Sequence, residues 1–413
     1  MKKFNLRSLA VLAGLPLALA ACAEDDASIV GPGAGGPLFN RYVAIGNSIT
    51  AGFQSGGIND STMMRSYAYL LAERMGTEFN VPFLSGAACP APLSAPFTTA
   101  PTPPAGATCY RDSPLPRVLN NVAVPGENIA DLLTVPASSR GSVYLLHSLF
   151  LGSQRTQLQA AALVEPTFFT MWIGNNDALN AAVRADTTLL TTAAAFTSRV
   201  ASVGAQMDAL RPQGGVVIGV VNPNVIPLIQ PGAFFYLAYQ GAVAAGQPSP
   251  FGRPVLADCA PGTPGGSTLV SLAITQATTA QVPAISCDAS LNPFTLTTQE
   301  RDAIANRVTA YNTALQAEAT ARGWLYYDPN TLLTPFLADP NAIRKCQALA
   351  TATTAAQLQA AVQTTCPSPS PSVGFGTLIS HDGVHPSTAA HALIANALAA
   401  AINARYGTTL PTS

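Results

Sequence analysis

Short apolar runs recur along the chain, and each is largely continuous rather than alternating between apolar and polar residues. A strand that is apolar on both sides is buried on both faces, as in a parallel sheet covered by helices. The pattern therefore predicts five buried parallel strands, at Tyr42–Ile45, Val118–Val124, Thr167–Ile173, Val216–Val221 and Trp324–Tyr327.

Helical patterns lie between these strands. The clearest begins with a capping box, in which Thr297 is followed three positions later by Glu300. One apolar stripe then continues at helical spacing, and Gly323 ends it. The stripe consists of Ile304, Val308, Tyr311 and Leu315.

A second helix is predicted from Pro386, as the first helical residue, to about Arg405, with Gly407 just beyond its end. Strands that alternate with helices form a parallel sheet with helices on both faces. The prediction is a three-layer α/β/α sandwich around a five-stranded parallel sheet, occupying residues 38–413.

Three stretches are too long for ordinary loops and are predicted to be insertions: 76–117, 223–295 and 334–379. Each contains two of the seven cysteines, and an even number in an exported chain favours disulfides. Each closed loop contributes about 3 kcal/mol in the chain-entropy picture. A metal site is the alternative, but the sequence has no C-x-x-C motif. Nearest-neighbour pairing gives Cys89–Cys109, Cys259–Cys287 and Cys346–Cys366.

The first 21 residues have the pattern of an export signal, with a basic start and an apolar stretch, Leu9–Ala20, too short to span a bilayer comfortably. The following Cys22, after Leu19-Ala20-Ala21, resembles the lipid-carrying cysteine of a bacterial lipobox. A plain secretory signal is the alternative. We expect residues 22–37 to be a flexible tether, and the protein to be an exported, membrane-anchored lipoprotein of the outer membrane, cell surface or periplasm.

Composition limits the partners. Hydrophobic residues make up 48% of the chain, enough for a large core, while charged residues make up only 10%. The net charge of −1 and the lack of Lys/Arg clusters argue against nucleic acid as a partner.

Residues suited to acyl transfer follow the predicted strands. Ligands of parallel sheets bind beyond the carboxyl ends of the strands. There the chain places Ser48, then Gly126 within Pro125-Gly126-Glu127-Asn128, then Asn176 within Gly174-Asn175-Asn176-Asp177. Asp382 and His385 lie three apart near the last helix. A serine hydroxyl needs a base that is itself oriented by a third group, and the developing oxyanion needs fixed donors.

These blocks resemble those of the SGNH, or GDSL-type, hydrolases, in the family's order and over most of the chain. The resemblance implies a flavodoxin-like α/β/α fold, with Ser48 as nucleophile, His385 as general base and acid, and Asp382 as its orienting carboxylate. It further implies an oxyanion hole from the Ser48 and Gly126 N–H groups and the Asn176 side chain, and it implies no metal or organic cofactor. Asn47 departs from the aspartate usual in the family.

Each of these residues also has a purely structural explanation, such as a helix cap for Ser48 or a turn for Gly126. A metal site at His381, Asp382 and His385 is disfavoured, because Gly383 and Pro386 interrupt the helical face that such a site needs.

The sequence thus predicts an esterase or lipase that works through an acyl-serine intermediate on small-molecule, lipid or carbohydrate esters. A carbohydrate O-acetylesterase and a non-catalytic surface-binding lipoprotein are the alternatives. The aromatic stretch 225–245 is either an acyl pocket or lid, or a buried helix packed on the sheet.

Overall fold

The computed structural model describes residues 36–84, 90–96, 118–352, 354–366 and 373–412. Its main sheet contains four parallel strands in the described residues, which lie in the order β1 Tyr42–Gly46, β2 Phe168–Trp172, β3 Gly214–Ile218 and β7 Leu325–Tyr327. Three of them are fully buried, and β7 is half-buried at the edge.

The segment 118–124 was predicted to be a strand, but it does not form a regular one. It runs parallel to β1 through three backbone hydrogen bonds but forms only an isolated bridge between Ala44 and Asn121. The reason lies in two asparagines: Asn120 bonds to the Tyr42 carbonyl, and Asn121 bonds to the Thr50 carbonyl and the Ala123 N–H. These side-chain bonds compete with a regular ladder. The segment still lies beside β1, so the spatial order is flavodoxin-like.

Strand β3 begins two residues earlier than predicted, at Gly214-Gly215. Glycine is depleted in strands, so the sequence pattern excluded this pair. The phenyl ring of Phe169 on the adjacent strand explains it, because a Cβ on Gly215 would meet that ring at 2.1 Å. The missing side chains make room for an aromatic neighbour.

Successive residues of the sheet face opposite cores. Val43, Phe169 and Val217 belong to one hydrophobic cluster, while Tyr42, Phe168 and Val216 belong to another. The first cluster is covered by α4, α5, α6, α7 and α10, and the second by α3 and α14. The three-layer α/β/α arrangement is therefore confirmed. The helices of the described chain are α1 Ser48–Ala51, α2 Asp60–Met63, α3 Tyr67–Met75, α4 Ser142–Phe150, α5 Gln157–Ala162, α6 Asn176–Arg184, α7 Ala193–Ala209, α8 Gly232–Ala244, α9 Pro264–Ser267, α10 Thr298–Ala321, α11 Pro329–Leu333, α12 Gln347–Thr351, α13 Ala355–Ala360 and α14 Thr388–Tyr406.

The two helices predicted from sequence are present. Helix α10 begins at the Thr297–Glu300 capping box and buries its whole predicted stripe. Helix α14 ends at Gly407, which is left-handed. Its predicted start was wrong: Ser387 caps it, and Pro386 instead bridges to Ile379 just before the helix.

No helix among the described residues is long and apolar enough to cross a membrane.

The described parts of the predicted insertions 223–295 and 334–379 share one hydrophobic cluster, and we call this unit the insertion module. It holds an antiparallel sheet, β4 Ile229–Pro231, β5 Leu269–Ser271 and β6 Thr295–Leu296, and the disulfides Cys259–Cys287 and Cys346–Cys366. The predicted Cys89–Cys109 pair and Cys22 lie outside the described residues.

The aromatic residues of the stretch 225–245 lie on α8 Gly232–Ala244, and their rings are part of this module. Phe234 and Phe235 are buried and contact each other and Phe251 edge-on or tilted. The buried-helix interpretation therefore fits the aromatic residues, although the helix packs in the insertion module rather than on the parallel sheet.

Candidate active site

Ser48 sits where β1 turns into α1. The side chain of Asn47 caps this short helix by accepting a hydrogen bond from the Ile49 N–H, so Ser48 is the first helical residue rather than the cap. Gly46 must lack a side chain, because a Cβ there would lie 2.6 Å from the Trp172 carbonyl oxygen. The turn fixes the serine at the carboxyl end of the sheet, where it is 8% exposed.

His385 and Asp382 lie beside Ser48. The Nε2 of His385 is 2.9 Å from the Ser48 Oγ, and its Nδ1 is 2.8 Å from the Asp382 Oδ2. Since the carboxylate only accepts, Nδ1 carries a proton, and a neutral ring then presents the Nε2 lone pair to the hydroxyl. The ring of Phe53 packs 4.9 Å from the imidazole. The chain Asp–His–Ser is the arrangement that activates a serine nucleophile.

Asp382 is held by many donors. Its Oδ1 accepts from the N–H groups of Val384 and His385, and its Oδ2 accepts from the Gly56 N–H at 2.6 Å. Burial alone would raise the pKa of this carboxyl, but attraction to His385 and the hydrogen bonds from His385 and Val384 outweigh burial and hold the pKa well below its usual range. Asp382 therefore remains an anion able to orient the imidazole.

The loop at Ser55 and Gly56 is tied to the acid–histidine turn in both directions. The Ser55 N–H donates to the Ser380 Oγ, and the His381 N–H donates to the Ser55 Oγ. Sequence reasoning missed this loop, because no motif links positions that lie more than 300 residues apart. His381 contributes through its backbone here.

Gly126 follows segment 118–124 and adopts a positive φ of 83°. A Cβ there would lie 2.7 Å from the Val143 Cγ2, so only glycine fits. Among the described residues, no protein acceptor takes the N–H of Gly126 or of Ser48. Asn176 lies nearby at the start of α6, and one of its two Nδ2 hydrogens goes to the Glu127 carbonyl at 2.8 Å. The other is left for a ligand.

Asp177 joins the second and third motif loops. Its Oδ2 accepts from the Ile129 N–H and its Oδ1 from the Thr191 hydroxyl. Burial raises the pKa of Asp177 to about 6, against the lowering effect of those hydrogen bonds. Asp177 thus stabilises the loop that carries the adjacent Asn176, a role that the sequence did not predict.

An apolar pocket opens from Ser48 and His385. Its walls come from α6, α11, α14, the loop after β3 and the insertion module, and they are almost entirely aliphatic. The residues are Ile49, Trp172, Asn175, Asn176, Leu179, Val221, Pro223, Val225, Ile226, Pro329, Leu332, Leu333, Ile343, Leu378, Ile379, Val384, Pro386, Ala390, Leu393 and Ile394. Such a lining fits an apolar group held next to the serine.

The defining sequence pattern of the GDSL-like lipase/acylhydrolase family matches residues 42–398. The chain belongs to this family. It is therefore a carboxylic ester hydrolase, and the resemblance expected from the motifs is confirmed. No curated protein matches the sequence of this hydrolase significantly.

Solved structures similar to this hydrolase include an extracellular lipase from Streptomyces rimosus, with 17% identity and a TM-score of 0.31 over 85% of this chain and 94% of the lipase. Phospholipase A1 from Streptomyces albidoflavus has 14% identity and a TM-score of 0.30 over 86% and 94%. The acetylxylan esterase Axe2 from Geobacillus stearothermophilus, as a catalytic mutant, has 12% identity and a TM-score of 0.33 over 90% and 96%.

Proposed function

We propose that this hydrolase cleaves esters of extended apolar acyl chains through an acyl-Ser48 intermediate. The observation that carries the proposal is the aliphatic pocket that begins at Ser48 and His385. An acetyl group has only one methyl group to bury against such a lining, whereas a fatty acyl chain gains about 0.8 kcal/mol for each methylene that leaves water.

In the proposed reaction, the Nε2 of His385 takes the proton of Ser48 as the Oγ attacks the ester carbonyl. The Ser48 and Gly126 N–H groups and the Asn176 amide donate to the oxyanion. His385 then protonates the leaving alcohol, and the acyl group stays on Ser48. A water molecule, activated by the same imidazole, releases the carboxylic acid.

The direct test uses p-nitrophenyl esters from acetate to laurate. We expect kcat/KM to rise by up to about fourfold per added methylene until the pocket is filled. A preference for acetate would contradict the acyl-chain assignment and would favour deacetylation of carbohydrates.

The Ser48→Ala variant tests the mechanism. It should lose ester hydrolysis and labelling by a fluorophosphonate while keeping its fold. The matched control is Ser198→Ala, which changes an exposed serine on α7. Wild-type activity in the Ser48 variant would refute the acyl-serine route. The absence of both ester turnover and labelling in the wild-type protein would instead favour a non-catalytic surface-binding lipoprotein.

We also propose that the hydrolase works outside the cytoplasm while anchored through a lipid on Cys22. The support is the lipobox-like sequence Leu19-Ala20-Ala21-Cys22. Replacing Cys22 by alanine should abolish incorporation of a labelled fatty acid and shift the protein from the membrane to the soluble fraction. An unchanged membrane fraction would contradict this anchor.

A further inference from the structure

Directly behind the candidate oxyanion hole lies a fully buried polar cluster formed by Glu127, His147 and Gln157. Each of the three is 0% exposed. Glu127 is the residue after Gly126, while His147 and Gln157 come from α4 and α5. Polar groups at such depth cost free energy unless all of them are hydrogen-bonded.

The hydrogen bonds determine the protons of this cluster. The Nε2 of His147 lies 3.0 Å from the Arg155 carbonyl oxygen, which only accepts, so Nε2 carries a hydrogen. The Nδ1 lies 2.5 Å from the Glu127 Oε1, and this contact requires one proton between the acid and the imidazole, because two lone pairs would repel each other. The pair has no net charge whichever atom holds that proton. Burial raises the pKa of Glu127, in keeping with a retained proton.

Gln157 connects this pair to the nucleophile strand. Its Oε1 accepts from the Gly46 N–H at 2.9 Å, and its Nε2 donates to the Gly46 carbonyl at 2.8 Å. The same Nε2 donates its second hydrogen to the Glu127 Oε2. Gly46 is two residues before Ser48, so one amide side chain fixes the end of β1 relative to Glu127.

The third candidate donor is tied to the same point. Asn176 gives one amide hydrogen to the Glu127 carbonyl, as described above. All three residues that provide oxyanion-hole donors are thus linked to this cluster. Gly126 precedes Glu127 in the chain, and Asn176 hydrogen-bonds to the Glu127 carbonyl. Ser48 is two residues from Gly46, which hydrogen-bonds to Gln157. An apolar cluster of the same volume would fill the space but would supply none of these directional contacts.

We propose that Glu127, His147 and Gln157 are positioning residues that hold the oxyanion-hole donors in register. This inference rests on the proposed acyl-serine mechanism. Fixed donors stabilise the oxyanion because they need no reorganisation when charge develops, and removing one such donor costs about 10²–10³-fold in kcat. A loosened network should therefore lower kcat more than it raises KM.

The first test compares two substitutions of Glu127. In Glu127→Gln the side chain keeps its length, so the amide can donate to the His147 Nδ1 and accept from Gln157. In Glu127→Asp the carboxyl group is kept, but it lies one methylene further from His147 and Gln157. Positioning predicts near-normal kcat for Glu127→Gln and a loss of about tenfold or more for Glu127→Asp. Equal losses in both variants, or the reverse order, would overturn the proposal.

The second test separates positioning from stability. Gln157→Met should lower kcat by about tenfold or more, with KM within about twofold of wild type. It should also weaken binding of an alkyl trifluoromethyl ketone, whose serine adduct carries an oxyanion, by a similar factor. Leu158→Ala is the control, because Leu158 is a buried residue on the same helix whose apolar side chain makes no hydrogen bond. It should lower Tm but leave kcat unchanged.

A Gln157→Met variant with wild-type kcat and ketone affinity would overturn the network's role. So would a kcat loss that Leu158→Ala reproduces at equal Tm. Failure of the acyl-serine mechanism is distinguished by the wild-type protein alone, since its Ser48 would then not be labelled by a fluorophosphonate.

Discussion

The Nε2 of His385 and the Oγ of Ser48 lie 2.9 Å apart although 337 positions separate them along the chain. Ser48 belongs to the turn after the first strand, and His385 to the turn before the last helix. Parallel strands place their carboxyl ends at one edge of the sheet, which explains how distant loops reach the same place.

Asp382→Asn tests the orientation of the imidazole. An amide in place of the carboxylate turns a donor toward Nδ1 and favours the tautomer whose Nε2 carries the proton, so we expect kcat to fall about 10³–10⁴-fold with little change in KM. The measurement is steady-state hydrolysis of the best p-nitrophenyl ester. Asp302→Asn, an exposed change on α10, should retain full activity. Comparable activity of both variants would exclude Asp382 from the mechanism.

Gly126→Ala tests the backbone donor. The new Cβ would clash with Val143 at 2.7 Å and push the Gly126 N–H away from the oxyanion, so kcat should fall about 100-fold or more. Gly246→Ala is a matched control, since Gly246 has a similar positive φ of 66° but nothing within 4 Å of an added Cβ. Both variants carry about 1 kcal/mol of backbone strain, and only the first should lose activity. Equal activity would argue against a role for this N–H.

Leu393→Trp tests the pocket wall on α14. An indole would fill part of the pocket that an extended acyl chain needs, so kcat/KM for laurate should fall at least about tenfold while acetate is hydrolysed normally. The control is Leu189→Trp, which enlarges an exposed leucine outside the pocket. Parallel losses for long and short esters would mean that the acyl chain binds elsewhere.

Asp177 makes stability depend on pH. Its pKa rises from 3.8 to about 6 in the folded state, so between these values the folded protein holds a proton that the unfolded chain releases. Stability therefore falls as the pH rises from about 4 to 6, by about 2–3 kcal/mol in all, and stays lower above pH 6.

Asp177→Asn checks this sign. The amide cannot titrate, yet its oxygen can accept from Ile129 and its nitrogen can donate to the Thr191 hydroxyl. Urea unfolding at pH 4.5 and 7.5 should show a smaller loss of stability with pH in the variant than in the wild-type protein. An identical pH dependence would assign the effect to other carboxyl groups.

Local sequence patterns predicted much of the fold. The continuous runs at β1 and β2 and the capped stripe of α10 follow from burial and helix geometry, which neighbouring residues determine. The glycines at 214 and 215 and the asparagines at 120 and 121 misled the strand prediction, because their partners, Phe169 and the β1 backbone, are distant in sequence.

By itself the sequence determined the chemical groups: a serine after a strand, a glycine, an asparagine and an acid–histidine pair, in the order of one hydrolase family. Only the tertiary structure showed which residues hold these groups in place. They are the Gly56 N–H that donates to Asp382, the Asp177 side chain that accepts from Ile129, and the buried Glu127–His147–Gln157 cluster. The tertiary structure also decided that two insertions share one core and wall the pocket. Such contacts join residues with no regular spacing, so no local periodicity encodes them, and they form only when the chain folds.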